Sequence, residues 1–511
     1  MRTRERRSGR IVEGLPAVNA AVAPAVLVLA VPVDVGALAM RATEAVGKAL
    51  LPEIYDHLRA ESGLEKPLQT TVQELLVKRR ELAYDLRKLL YRRNCHVVPP
   101  QGSVYPTPSD SHTLLKQRFS YIGLLCQGKS DFDHIEPFRR DEFYRLALRL
   151  REVPSSPTLR QRLDLAASGA DWPTVLREES ADLLHRMHAT VSPVTWRLDG
   201  REHSYVPLDI DVSPFDNSET KKEGIAYTYK GFFGYAPIFG YLGLEGYAVG
   251  GDLRGGSVHS QNGAVEFIRQ CVGSARRITS QKLLLRVDSG HDSVDTLKVC
   301  QGLVIDFVVK RNLRRKHPEL WLAIAKEQGE AVQERPGKTV YRGKRRVKVH
   351  GLKEEVFEVF EVIERTTLAN GQVLIEPEIE VAVWYTSLDQ PASRIIRLYR
   401  DHGTSEQYHS ELKTDLDIER LPSGKFATNN LVLQFALFAY NLLRFIGQTT
   451  LTLTKVPIRK PAQRRRIRTV IQSIITLAAK VTWHARRHWL RLGRGSPWLP
   501  VLRDLYRVCR A

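Results

Sequence analysis

The stretch Tyr399–Lys413, reading YRDHGTSEQYHSELK, sets the Glu406 carboxylate among side chains suited to phosphate oxygens. Tyr399, His402, Glu406 and Lys413 stand at offsets of 0, 3, 7 and 14 along it. Steps of three, four and seven return a side chain to the same helical face, so Glu406 and Lys413 share a stripe about two turns apart if the segment is helical through both. Thr404 followed by Gln407 reads as a capping box, which starts the regular helix near Thr404. Gly403 argues against a continuous helix upstream, so Tyr399 and His402 are expected to reach the same place from the preceding turn. One acid among a tyrosine, a histidine and a lysine is what metal-assisted work on a nucleic-acid backbone needs.

Two more acids stand on segments that read as strands. YVPLDIDVSP (Tyr205–Pro214) alternates, with Leu208, Ile210 and Val212 on one face and Asp209 and Asp211 on the other. Two carboxylates on one side of a buried strand are costly unless something cationic faces them. LLLRVDSGHDS (Leu283–Ser293) is an apolar strand that stops at Asp288, where Ser289 and Gly290 make a sharp turn. A carboxylate at the carboxyl end of a strand is well placed to meet a ligand. Mg²⁺ takes oxygen ligands and few carboxylates. Two such ions about 3.5–4 Å apart can activate an attacking oxygen and stabilise a leaving one. Taken singly, each of these acids is more often structural; their order along the chain is the specific feature.

The elements around these acids fall into segments. At 511 residues the chain is too long for one ordinary core. Its 43% hydrophobic and 26% charged residues are those of a water-soluble globular protein. The 77 Lys and Arg against 57 Asp and Glu leave a net charge of +20, which favours a polyanionic partner. Cys95, Cys126, Cys271, Cys300 and Cys509 are scattered without CxxC spacing, which speaks for reduced thiols and against a zinc ribbon or a disulfide framework. No Walker-type phosphate loop or internal repeat is present.

Residues 1–40 are expected to be a disordered leader, or the product of a start codon placed too far upstream. Their uncharged run Gly14–Val33 is broken by Pro16, Pro24 and Pro32, so it is not read as a membrane span. Residues 41–195 read as a helical domain that could form a reader of a DNA end. It includes the amphipathic segment Thr71–Arg93, helices around Ser111–Leu125 and Asp141–Arg151, and a helix starting at Ser155 or Ser156 before Pro157. Two short helices about that turn would suit a helix-turn-helix; an ordinary helical domain with solvated arginines is the plain alternative. Residues 196–330 read as the first part of an α/β catalytic core, with a strand over Leu303–Lys310. A β insertion over 331–390 follows, and 391–450 is the second part of the core, with Arg394–Tyr399 returning to the main sheet. Asn430–Gly447 is a strongly apolar core helix. Residues 451–511 form a basic helical C-terminal region with an amphipathic helix over Thr469–Leu492. The basic runs Lys310–Lys316, Arg342–Lys348 and Arg459–Arg468 could follow phosphates, although such runs are more often solvated faces.

The order strand Asp, strand-end Asp-Ser-Gly, β insertion, helix Glu resembles that of the DDE transposases of bacterial insertion sequences, in the cut-and-paste branch with an RNase-H-like core. That branch carries Y-x2-R-x3-E-x6-K around its last acid. Tyr399, Glu406 and Lys413 match the spacing, and His402 stands where arginine is usual. LDIDVS and RVDSGHD look like the first two acid motifs. EQYHSELKTDLDIERLPSGKFATN and GYAPIFGYLGLEGY look like family-typical text. The resemblance covers roughly 153–487.

The resemblance implies that Asp211, Asp288 and Glu406 are catalytic and hold two Mg²⁺ or Mn²⁺ ions. Tyr399, His402 and Lys413 would grip DNA phosphates near the scissile bond. Asp209 is the rival for the first position; Asp211 is preferred because Ser213 follows it as in the D-x-S/T step of relatives. Partly charged histidine at 402 weakens the phosphate contact expected of arginine. The reaction implied is nicking at the element's terminal repeats to free a 3′-hydroxyl, followed by attack on target DNA. The expected partners are terminal inverted repeats, target DNA and a second copy of the chain, in the bacterial cytoplasm and without a membrane. A DNA-binding protein that has lost catalysis, or a stand-alone metal-dependent nuclease on the same core, are the alternatives.

Overall fold

A computed structural model of the chain describes residues 119–510, apart from 149, 151, 169–171, 315–316, 454–455, 459–461, 485–486 and 493–494. The expected leader over 1–40 and the amphipathic helix over Thr71–Arg93 lie outside the described residues. The described residues divide into two compact units, one comprising those from 119 to 183 together with those from 415 on, the other those of 184–414.

The 184–414 unit is built on a ten-stranded mixed sheet. Its strands are β1 (Val194–Leu198), β2 (Arg201–Val212), β6 (Ile238–Leu242), β7 (Tyr247–Asp252), β8 (Leu283–Val287), β9 (Asp306–Lys310), β10 (Glu330–Arg335), β11 (Lys338–Val347), β12 (Val356–Thr367) and β13 (Val373–Thr386). The short strands β3 (Phe215–Asp216), β4 (Ala226–Tyr227) and β5 (Phe233–Tyr235) make a separate small sheet. In space the large sheet runs β10-β11-β12-β13-β9-β8-β2-β6-β7, with β1 alongside β2. The pairs β2–β8 and β8–β9 are parallel, and the other pairings are antiparallel. Helix Val294–Leu303 carries the chain from β8 to β9, as a parallel pair requires.

β8 sits between two parallel neighbours and is buried along its whole length, which is why LLLRV shows no alternation. Helix Ala264–Ile278 packs closely on the sheet beside it. A Cβ at Gly240 would stand 2.6 Å from Cys271 Sγ and one at Gly250 2.5 Å, so both positions must lack a side chain. Trp196, Tyr205, Leu284, Val308, Val359, Trp384, Ile395, Ile396 and Leu398 form the apolar layer under helix Ala392–Arg400. Strands β10–β13 extend the main sheet: β13 pairs with β9 over Trp384–Thr386, and helix Pro318–Gln328 covers them through Trp321 on Phe360.

The other unit is largely helical. Helix Ser156–Ala167 starts where expected, with Ser155 as N-cap accepting from the Thr158 N–H. Helix Phe426–Thr452 includes the apolar run read as core. It is the one helix among the described residues long and apolar enough to cross a membrane, but 94% of its apolar window is buried in protein.

Several expectations are corrected. Arg394–Tyr399 is no strand of the main sheet but lies in helix Ala392–Arg400: Arg394, Arg397 and Arg400 recur every third residue while Ile395, Ile396 and Leu398 are buried. The helix expected over Thr469–Leu492 ends at Ile475 after a π turn, and a hairpin of Ala479–His484 with Arg487–Leu492 follows. Val481, Thr482, Trp483 and Trp489 are strand formers, and their pairing prevails over the helical pattern. The strand expected from Leu303 begins at Asp306, because Leu303 still belongs to a helix closed by Val304 in the left-handed region (φ 52°). The helix expected over Asp141–Arg151 spans only Glu142–Ala147. Residues 415–450, expected in the core's second part, belong with the helical unit.

Candidate active site

Strand register places the first two acids together. Across the parallel pair β2–β8, Asp209 is opposite Arg286 and Ile210 opposite Val287. Asp211 and Asp288 come one residue later, at the carboxyl ends of strands spaced about 4.8 Å apart. Because side chains alternate, Asp209, Asp211, Arg286 and Asp288 all project from the same face of the sheet.

The inner pair is closed to solvent. Arg286 donates to Asp209 from Nε at 2.6 Å and from Nη2 at 2.7 Å, and from Nη1 to the Leu398 carbonyl at 2.8 Å. His402 Nδ1 lies 3.1 Å from Asp209 Oδ1, close enough for an ion pair but without hydrogen-bond alignment. Burial pushes the Asp209 carboxyl up, yet Arg286 and then His402 outweigh it and hold it below the usual range. Asp209, the rival first acid, is therefore a buried ion-pair member.

The outer pair is open. The Asp211 side chain retains 23% exposure and that of Asp288 43%. Asp211 Oδ1 accepts from the Val212 N–H at 2.7 Å, and Oδ2 lies 3.3 Å from His409 Nε2. Burial raises the Asp211 carboxyl, but the His409 hydrogen bond, foremost among the opposing causes, prevails and lowers it. Asp288 caps the turn Ser289–His291: its Oδ1 accepts from the Gly290 N–H at 3.1 Å and meets His291 Nδ1 at 2.9 Å. Among the described residues no hydrogen bond reaches Asp288 Oδ2.

Two phenols stand in the field of this pair. Tyr399 is raised by burial and then by the charges of Asp288, Asp211 and Asp209. Tyr229 is pushed up to about 12 by burial, Asp211 and Asp288. Tyr399 is half-buried, with its ring centroid 5.6 Å from that of Trp384 and 5.8 Å from that of His402.

The helical stretch that carries the third acid is broken into turns. A 3-10 turn covers Asp401–Thr404, an α-helix Ser405–Ser410 and a π turn Glu411–Asp415. The helix starts beside Thr404 as expected, but no capping box forms; the Thr404 hydroxyl donates to the Asp401 carbonyl at 2.9 Å. Glu406 is exposed. Tyr408 donates to the Leu244 carbonyl at 3.1 Å and lies over Gly246, where a Cβ would stand 2.3 Å from the ring. That contact fixes the helix against the β6–β7 turn. Lys413 Nζ donates to the Pro214 carbonyl at 2.6 Å and stands 5.5 Å from the Phe215 ring centroid, which ties it to the loop after β2.

Asp211 and Asp288 are thus brought together, while Glu406 does not join them: among the described residues no three His, Cys, Asp or Glu side chains converge enough to hold one metal ion. The pair alone suits Mg²⁺ or Mn²⁺, hard cations that bind one or two carboxylates and complete their shell with water and phosphate oxygens. Two partly exposed carboxylates on neighbouring strand ends, one with an unbonded oxygen, fit that need.

Sequence reasoning passed over Arg286, His291 and His409. In DSGH and EQYH a histidine follows an acid by three residues, which was the available signal; that His409 would face Asp211 rather than Glu406 is visible only in the fold. The basic runs are also more engaged than their composition suggests. Arg342 donates to Glu361 at 2.8 Å, Arg345 to Glu358 at 2.7 Å, and Arg311 pairs with Glu358. In the last run, Arg465 is buried against Thr450 and Ser473, and Arg466 pairs with buried Asp415.

No curated protein matches the chain. Among solved structures it is similar to the cryo-EM structure of a piggyBac transposase synaptic complex with hairpin DNA. The identity is 10%, over 74% of this chain and 73% of that one, with a TM-score of 0.36. The model of the family described as transposase DDE domain, group 1, matches residues 106–511, which include every acid discussed here. The chain belongs to that transposase family.

Proposed function

We propose that the chain is the DNA transposase of a bacterial insertion sequence, acting by cut-and-paste through metal-dependent strand cleavage and strand transfer. The observation that carries this reading is the placement of Asp211 and Asp288 side by side at the ends of two parallel strands. The sheet around them is read as an RNase-H-like core, with β10–β13 as its insertion. Asp211 and Asp288 would hold Mg²⁺ or Mn²⁺. Glu406, at the Y-R-E-K spacing, is read as the third acid, brought to the pair when DNA is bound. Bound divalent ions supply activation of the attacking oxygen and stabilisation of the leaving one.

The chain's own residues orient the DNA. The Tyr399 hydroxyl, kept protonated by its surroundings, can donate to a phosphate oxygen beside the two aspartates. Lys413, whose amine donates to the Pro214 carbonyl, is read as a phosphate contact beside the strand end that carries Asp211. His402 is read as a support for Asp209 instead of a phosphate contact. In the first step a water oxygen attacks phosphorus at the element's end, and the 3′-oxygen departs and takes up a proton. In the second, that 3′-hydroxyl attacks a target phosphodiester, so one P–O bond forms as another breaks. A dimer in the cytoplasm holding two terminal repeats is the proposed working form.

The test is cleavage and joining of a labelled duplex carrying the element's terminal repeat, with Mg²⁺ or Mn²⁺, by wild type and by Asp211→Asn, Asp288→Asn and Glu406→Gln. Cuts at the repeat boundary and joined products, both lost in each variant, support the reading. Cutting without joining would favour a stand-alone nuclease, and binding without cutting an inactive DNA-binding protein.

A further inference from the structure

Each of the two adjacent aspartates is backed by a buried histidine, Asp211 by one from a separate helix and Asp288 by one from the turn it caps. His409, on helix Ser405–Ser410, meets Asp211 Oδ2 through Nε2 at 3.3 Å. His291, in the turn after β8, meets Asp288 Oδ1 through Nδ1 at 2.9 Å and is fully buried. We propose that His409 and His291 are positioning residues, each donating one N–H to one carboxylate oxygen and so aiming that carboxylate at a divalent cation. This rests on the reading that Asp211 and Asp288 hold the cation.

The terminal torsion of an aspartate is broad, so a half-exposed carboxylate with no lateral partner swings freely. A fixed donor on one side removes that freedom before any ion arrives, at no cost during binding. Both rings are held for the task. His409 stands 5.4 Å from the Phe239 ring and 5.3 Å from that of Tyr241, and the Tyr241 hydroxyl lies 3.1 Å from its Nδ1. A phenol donating to Nδ1 leaves the proton on Nε2, the nitrogen that faces Asp211.

For His291, Nε2 is buried with no hydrogen-bond partner. A neutral ring protonated on Nδ1 leaves only a lone pair unsatisfied there, and its N–H points at Asp288. Leaving a buried polar atom unpaired is unfavourable, and an apolar side chain would fill the same space without that cost. The bond to Asp288 is what the histidine adds. The Gly290 N–H shares the same oxygen, so Oδ1 is held twice while Oδ2 is left for the ion. Outer-shell partners of this kind are worth about 10–100-fold in metal affinity.

The experiment is Mn²⁺ binding to the full chain without DNA, followed by the electron paramagnetic resonance signal of free Mn²⁺. His409→Leu and His291→Leu remove the donor. His409→Gln and His291→Asn keep an N–H near the position of Nε2 and Nδ1. The leucine variants are expected to weaken Mn²⁺ binding about 10–100-fold, with most of it recovered in the Gln and Asn variants. Should the leucine variants not fold, His409→Ala with and without added imidazole gives the same comparison, and recovery with imidazole supports the proposal. Binding by folded leucine variants within about threefold of wild type, while Asp211→Asn loses it, overturns the positioning role alone. Wild-type-like binding by Asp211→Asn and Asp288→Asn overturns the site reading itself, and the inference with it.

Discussion

Asp209 and Arg286 face each other across two parallel strands, opposite in register and joined by two hydrogen bonds of 2.6 and 2.7 Å, with both side chains buried. They lie one alternation behind Asp211 and Asp288, so the ion pair forms the floor on which the outer acids stand. Arg286→Met leaves a buried carboxylate short of its main partner and is expected to cost about 3–5 kcal/mol. The double variant Asp209→Leu/Arg286→Met is expected to recover most of that loss, since an apolar pair carries no desolvation cost. Urea unfolding of the single and double variants measures both. A single variant as stable as wild type would remove the pair from its structural place.

His402 gives the same floor a dependence on pH. Burial alone would lower its basicity, but the neighbouring Asp209 carboxylate prevails and holds it above the ordinary value. A raised folded-state value means that protonated His402 contributes its full stability below about pH 6.5, the unfolded-state value. That contribution is lost as pH rises through the folded-state value. The urea midpoint of wild type is therefore expected to fall with rising pH above about 6.5, while His402→Gln stays level over the same window. Parallel profiles for the two proteins would assign the titration elsewhere.

The sequence made the strands of the outer acids legible because their signals are local. LDID alternates, and LLLRV stops at an Asp-Ser-Gly turn, so a two-residue period and one glycine suffice. Which aspartate of LDID faces the ligand depends on what stands opposite, and register with Arg286 is a long-range fact. Arg394–Tyr399 shows the limit from the other side: RIIRLY fits a short strand or a helix, and burial of Ile395, Ile396 and Leu398 on one apolar layer decides for the helix. The stripe drawn through Glu406 and Lys413 assumed uniform α-helical phase, whereas a π turn begins at Glu411 and resets it.

The last basic run tests how far charge can be read as DNA contact. Asp415, buried, accepts from Arg466 Nε and Nη2 at 2.9 and 3.0 Å and from the Arg468 N–H at 3.0 Å. Asp415→Ala would leave the Arg468 backbone N–H and two half-exposed guanidinium groups without this acceptor. The expected loss is about 1.5–3 kcal/mol, at the level of hydrogen bonds to a charged group. The salt dependence of terminal-repeat binding should stay as in wild type, because these arginines are read as structural. Thermal unfolding and binding at several salt concentrations separate the two effects, and a steeper salt dependence in the variant would show that Asp415 withholds the arginines from DNA.

Lys413 is the opposite case, a lysine bonded within the protein that is nevertheless read as meeting a phosphate. Its amine reaches the Pro214 carbonyl three residues beyond Asp211, so a phosphate held there would lie beside the strand end that carries the acid. If it neutralises one phosphate, Lys413→Ala should lower the slope of log K against log salt by about 0.9 and weaken binding alike on terminal-repeat and unrelated duplexes. Lys413→Arg keeps the charge and should keep the slope, even if the planar guanidinium cannot reach Pro214 in the same way. Fluorescence anisotropy on a labelled duplex between low and moderate salt gives the slope directly. An unchanged slope in Lys413→Ala, with cleavage lost, would mean that the lysine acts only by anchoring the loop after β2 and touches no phosphate.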